Sequence, residues 1–201
     1  MQKRLVKVES IDFPTVYGDF DLIAYNVGYD NQPNMRYALA ITSKSIPDIP
    51  LVRIHSECIL SEVFKSTHCD CREQLELGLQ TIQNEGGILF YLNQEGRGHG
   101  LFQKVLELKM QEKGMDTVEA SEFFDLNIDD RKYDVVVDIL NDMGIKKIKL
   151  LTNNPSKIVS LEDNGIKVVE RVPVEVLPNE HNKTYLKVKK KKLGHLFTKY
   201  V

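Results

Sequence analysis

The chain has 201 residues and a formal net charge of −2, with 42% hydrophobic and 28% charged residues, the balance of an ordinary soluble globular protein with enough length for a full core. So small a charge gives no general pull toward nucleic acid or anionic membrane, and no apolar run is long enough to span a bilayer.

The opening third reads as strands over Tyr17–Tyr25, Arg36–Ile41 and Pro50–His55, with breakers at Asp30 to Pro33 and Ser45 to Pro50. Past Cys71 the period changes. Leu75, Leu79 and Ile82 recur at helical spacing up to Gly86-Gly87, and Ile88–Leu92 is a short apolar run suited to a buried strand. Leu101, Val105 and Leu108 mark a helix closed by Gly114, and Val135, Val136, Ile139, Leu140 and Met143 mark another closed by Gly144. Ile148–Leu151 then reads as a strand, a helix runs from Asn154-Pro155 to Asn164-Gly165, and Ile166–Val169 is a further strand. The expectation is an α/β fold: a mixed sheet with flanking helices, strand-rich at the N-terminus and alternating helix/strand units afterwards. It is expected as a single domain over residues 1–201, with about 1–15 and 178–201 peripheral. The lysine run from Lys187 to Lys192 suits RNA or a polyphosphate, though such runs are more often a solvated helix face or tail.

The chain's only three cysteines, Cys58, Cys69 and Cys71, sit close together in sequence. An odd, clustered set does not make a disulfide framework. Three thiolates in one place suit a soft tetrahedral cation, zinc above all, and the lack of a fourth cysteine points to chemistry at the metal, though spacing alone does not give an open coordination position. Two alternatives remain open: buried cysteines acting as small hydrophobes, or a closed structural site completed by His55 or His68. Reduced cysteines, with no apolar region after the basic N-terminal residues, lead to the expectation of a cytoplasmic protein without a signal peptide.

Four polar stretches fall at predicted strand or loop ends, where α/β proteins place ligands. They are Arg53 to Cys58, Gln94 to Gly100, Asp129 to Arg131, and Leu151 to Lys157. The glycines of the second allow backbone N–H groups to approach an anion at a helix start. The acidic pair of the third is as readily a helix cap, and the fourth an N-cap with proline in the first turn.

Taken together, Arg53-x-His-Ser-Glu-Cys58, Cys69-Asp-Cys71, Gln94-Glu-Gly-Arg97, Asp116-Thr-Val-Glu-Ala120 and Leu151-Thr-Asn-Asn-Pro155 closely resemble the GTP cyclohydrolase II family, from about Tyr17 to Val174. The resemblance implies one zinc ion per chain on Cys58, Cys69 and Cys71, with a water that becomes hydroxide near neutral pH and attacks C8 of guanine. The products expected are formate, pyrophosphate and a diaminopyrimidinone nucleotide, the first step of riboflavin synthesis. It also implies Arg131 as the proposed nucleophile for pyrophosphate cleavage and Asp129 as proton acceptor. Since arginine is normally protonated, charge stabilisation is the easier role. Contacts to GTP are implied for Arg53, Ile54, His55, Ser56, Glu57, Gln74, Glu95, Gly96, Arg97, Thr117, Thr152 and Lys157. Magnesium would travel with the triphosphate, and a homodimer is implied, with neither membrane nor nucleic acid as partner.

Two positions depart from the family pattern. The family's helix after the glycine-rich loop carries a tyrosine needed for full turnover, and Leu108, which cannot donate a proton, stands there. His99 replaces an isoleucine and is a candidate proton shuttle, the bland reading being an exposed, idle side chain. Loss of the tyrosine suggests a variant that opens the ring but retains the formyl group, or one that acts on another purine nucleotide. A nucleotide-binding regulator and a zinc-stapled nucleic-acid module are the remaining classes, disfavoured by the retained cysteines and by the charge.

Overall fold

The computed structural model describes residues 3–29 and 36–198. In chain order the elements are β1 (Lys3–Thr15), β2 (Gly18–Tyr29), β3 (Arg36–Ser43), β4 (Leu51–Ser56), α1 (Ile59–Glu62) and α2 (Cys71–Glu85). There follow β5 (Gly87–Leu92), a 3₁₀ turn over Glu95–Gly98, α3 (Leu101–Glu112), α4 (Thr117–Phe123), α5 (Asp134–Asp142), β6 (Lys147–Leu151), α6 (Pro155–Glu162), β7 (Lys167–Val172) and α7 (Lys183–Leu193). The seven strands form one mixed sheet in the order β1-β2-β3-β5-β4-β6-β7. The first three strands and β5 pair antiparallel; β5, β4, β6 and β7 run parallel. The α/β expectation is met.

The central strands are buried on both faces, as parallel strands under helices must be. Ile88 and Phe90 of β5 join Val52, Ile54, Ile148 and Leu150 beneath Val136, Ile139 and Leu140 of α5 and Leu161 of α6. Leu89 points the other way, to Phe20, Leu51 and the α2 residues Leu79 and Ile82. Period-two alternation along β5 thus feeds two cores, each side chain contributing roughly 1.5–3 kcal/mol by burial. Gly87 is where β5 and β4 come closest: a Cβ there would fall 1.9 Å from the Leu51 carbonyl oxygen, so only glycine fits.

Three differences from the sequence reading stand out. Strand β1 is absent from that reading because its side chains are mostly exposed and leave no buried stripe. Helix α3 is present, but Val105 is 50% and Phe102 88% exposed, while its one buried residue is Glu107. Its inner face is the row Lys104, Glu107, Leu108 and Gln111, polar except for Leu108. The lysine run lies on α7, with Lys187, Lys190, Lys191 and Lys192 exposed and Lys189 turned inward. The expected breaker from Asp30 to Pro33 lies outside the described residues.

Candidate functional site

The C-terminal ends of β4, β5 and β6 open onto one edge of the sheet, where loop residues gather as parallel α/β topology dictates. Cys58 follows β4 and begins α1, and Cys71 is the first residue of α2. With Cys69 their sulfurs lie within 4.8 Å of one another, the one such metal-type group among the described residues. Cys58 Sγ and Cys69 Sγ are 3.6 Å apart. That is far beyond a disulfide and close to the ~3.8 Å edge of a tetrahedron with zinc–sulfur bonds of about 2.3 Å. The donor set therefore fits zinc.

Neither histidine joins the sulfurs. His55 Nε2 lies 2.8 Å from Glu62 Oε1 and its ring stacks on Tyr91. Burial, only partly offset by the Glu62 contact, pushes its pKa down to about 4. His68 lies 3.1 Å from the Ser66 hydroxyl. Lys104 Nζ instead reaches Cys58 Sγ at 3.0 Å and Glu95 Oε1 at 2.7 Å. Burial works against the Lys104 charge, but the Cys58 sulfur and the Glu95 carboxylate outweigh it and hold the ammonium well above its ordinary pKa.

Two cavities meet here. The first, about 780 Å³, is bounded by the three cysteines, Glu57, Glu95, Glu107, Leu108 and Thr117. The second, about 670 Å³, is bounded by Arg53, Gln74, Lys157, Thr152 and His55. Ser56, Cys71, Arg97, Arg131 and Tyr185 border both. Arg53 is fixed by bonds to the Leu151 carbonyl (3.1 Å) and Gln74 Oε1 (2.7 Å), and its burial lowers its pKa to about 10. Lys157 donates to the Ile54 carbonyl at 2.8 Å. Burial, and then the charges of Arg53 and Arg131, push its pKa well down. These basic groups are crowded together, with Asp70 acting on Arg53 and Asp129 on Lys157 against the shift.

The glycine-rich turn carries strain at the cavity wall. Arg97, with φ 56°, sits in the left-handed region that non-glycine residues rarely occupy. Its carbonyl accepts the Asp130 amide at 3.0 Å, tying this turn to the Asp129–Arg131 loop. The Arg131 guanidinium donates to Asp129 at 2.8 and 2.6 Å. Burial opposes its charge, but the Asp129 hydrogen bonds prevail and hold Arg131 more firmly protonated than usual. Asp129 and Asp130 do not cap α5, whose N-cap is Tyr133.

Of the residues expected in the site, Ile54, His99 and Asp129 border neither cavity. Ile54 is a core residue that contributes only its carbonyl, and Asp129 acts through Arg131. His99 is not the exposed side chain of the bland reading; it is 4% exposed, with Nδ1 3.3 Å from Glu107 and Nε2 3.4 Å from Asp130. It meets the first cavity only through Glu107. Sequence reasoning missed Lys104 and Glu107, because it followed the apolar period of α3. It also missed Tyr185 and Lys189, whose one available clue was the lysine run.

The fold and site define an α/β domain that joins a three-cysteine metal-type centre to a cation-lined cavity. A family model described as GTP cyclohydrolase II matches residues 6–173, and the chain belongs to that family of hydrolases. Similar curated proteins include "Riboflavin biosynthesis protein RibBA" of Chlorobium phaeovibrioides, 46% identical over 192 residues that cover 95% of this chain and 46% of that protein. The protein of the same name from Aquifex aeolicus is 47% identical over 193 residues, covering 95% and 47% respectively. The chain thus spans about half the length of the curated relatives it matches. Among solved structures, RibBX of A. baumannii, a two-domain 3,4-dihydroxy-2-butanone 4-phosphate synthase, gives a TM-score of 0.40 at 19% identity, covering 74% of this chain and 34% of that one. No helix among the described residues is long and apolar enough to cross a membrane.

Proposed function

We propose that this chain hydrolyses GTP at the imidazole ring with release of formate and pyrophosphate, as a zinc enzyme of riboflavin synthesis. The observation that carries this reading is the shared wall: one ligand can present an electrophilic carbon to the cysteine centre and its phosphates to the arginine and lysine cluster. Cys58, Cys69 and Cys71 would hold the ion, which when bound supplies Lewis acidity and lowers the pKa of water to about 7.

The protein's own groups then have separable tasks. Lys104 keeps negative charge on the Cys58 sulfur and orients Glu95, whose second oxygen accepts the Ile59 amide at 2.7 Å. Arg53, Arg97 and Lys157 take phosphate oxygens, with Thr152 alongside; Gln74, Glu57 and Thr117 help to orient the nucleotide. Arg131, held protonated by Asp129, has no free lone pair and so stabilises charge on the phosphates instead of attacking them. Magnesium arrives with the triphosphate.

A second reading is supported by Leu108, which borders the first cavity where the family pattern has a tyrosine. In it the ring opens but the formyl group stays on the nucleotide. Incubation with GTP, followed by formate assay and product mass, separates the two. Stoichiometric formate supports complete turnover, and a product that keeps the carbon supports the second reading. Neither product forming would sink both.

We further infer a homodimer, one working unit over residues 1–201, and a cytoplasmic site of action. Phe102, Val105 and Leu106, all at least 49% exposed, make an apolar face on α3 suited to a second copy. Light scattering should give a dimer for the wild type and a monomer for Phe102→Glu.

A further inference from the structure

We propose that residues 183–198 form a strap that completes a polyphosphate-binding cavity, with Lys189, Tyr185 and His195 facing the ligand's phosphates. This deepens the proposed function, on which its nucleotide arm rests. The cavity's lining includes five lysine and arginine side chains and no carboxylate, and Lys189 is one of the five. Leu193, His195 and Phe197 line the same space. A lining of that sign asks for a highly charged anion, and planar guanidinium forks beside ammonium groups match phosphate oxygens.

The strap is built to hold its place. Leu186 is 1% exposed, and Lys192 pairs with Asp116 and, at 3.3 Å, with Glu119. The Leu196 amide donates to the Asn153 carbonyl at 2.8 Å, and the Thr198 amide to Glu175 at 2.9 Å. Gly194, with φ 64°, ends α7 and turns the chain so that His195 faces the cavity. Lys189 Nζ meets Asp70 Oδ1 at 3.0 Å and lies 4.4 Å from the centre of the Tyr185 ring. Asp70 also accepts from Gln74, which in turn accepts from Arg53, so the strap's cation is wired to the base of the cavity. Burial, then the charge of Lys189, push the His195 pKa down to about 3.

Exposed lysines of the same helix supply the control, because they share the sequence run but not the cavity. Inorganic triphosphate titrated calorimetrically into the full chain is the probe. Lys189→Met should weaken binding about ten-fold or more, Lys189→Arg should restore most of it, and Lys191→Met should match the wild type. An unchanged thermal midpoint in Lys189→Met shows that the strap remains docked. Triphosphate affinity in Lys189→Met equal to wild type, or no binding to the wild type at all, overturns the proposal. If triphosphate binding responds as stated while GTP is not consumed, the proposed activity fails and the strap stands. If GTP is consumed with an unchanged KM in Lys189→Met, the strap fails alone.

Discussion

The two cavities share a wall yet have opposite chemistry. One gathers three sulfurs with Glu57, Glu95 and Glu107, and Lys104 as counter-charge; the other gathers Arg53, Lys157 and Lys189, with Arg97 and Arg131 in the shared wall. The first is built for a cation, the second for a polyanion. Their parts also come from different kinds of sequence. The sulfur centre is local, drawn from one short stretch between β4 and the start of α2, whereas the cation cluster collects residues from β4, from the turn after β5, from the loop before α5, from α6 and from α7. Charges of one sign cannot be buried side by side unless a ligand supplies the rest. Lys157, whose pKa is pushed well down by burial and by the charges of Arg53 and Arg131, is where this pressure shows most.

The largest expected effect breaks the first cavity and spares the second. Cys69→Ser, at a cysteine that borders only the first cavity, should lose bound zinc by elemental analysis and lower GTP ring opening by at least about 100-fold, while triphosphate binding stays near wild type. Metal retained at full stoichiometry would remove the sulfur centre from the account.

Next, Asp129→Asn acts through Arg131, which stands in the wall the two cavities share. It leaves Arg131 charged but without its bidentate partner, and KM for GTP should rise about ten-fold at unchanged metal content. An unaltered KM would show that Arg131 needs no orienting carboxylate.

A third, smaller effect is read in stability. The folded-state pKa of His55 is depressed to about 4, so the unfolded chain binds a proton there first as pH falls through about 6.5. Its contribution is intact above that pH and declines toward pH 4, at about 1.4 kcal/mol per pH unit midway. Denaturant titrations of wild type and His55→Asn should diverge in slope over this window; parallel curves would contradict the burial argument. The smallest expected change is in Glu107→Gln, which keeps the side chain's shape. A shift in the pH profile of formate release without loss of zinc would give Glu107, backed by His99, a proton-handling task, and an unmoved profile would leave it a packing residue.

Much of this was legible in the residue order. The strands β2 to β7 and helices α2, α5 and α6 announce themselves, because burial on one or two faces imposes a period that the side chains must obey. The cysteine centre is readable for a related reason: ligands close in sequence need little topology to meet. The resemblance carried by Arg53 to Cys58 and Leu151 to Pro155 agrees with the family model match over residues 6–173.

What the tertiary structure alone decided is which polar groups face inward. Helix α3 follows an apolar period on paper, yet it turns Glu107 and Lys104 toward the cavity and leaves Phe102 exposed. The lysine run looks uniformly solvated, but the docking of Leu186 turns one of its members, Lys189, onto Asp70. Local patterns record how much apolar surface a segment must hide. They carry no record of the distant charge that makes burying a lysine or a glutamate tolerable, and that pairing exists only once the chain has closed on itself.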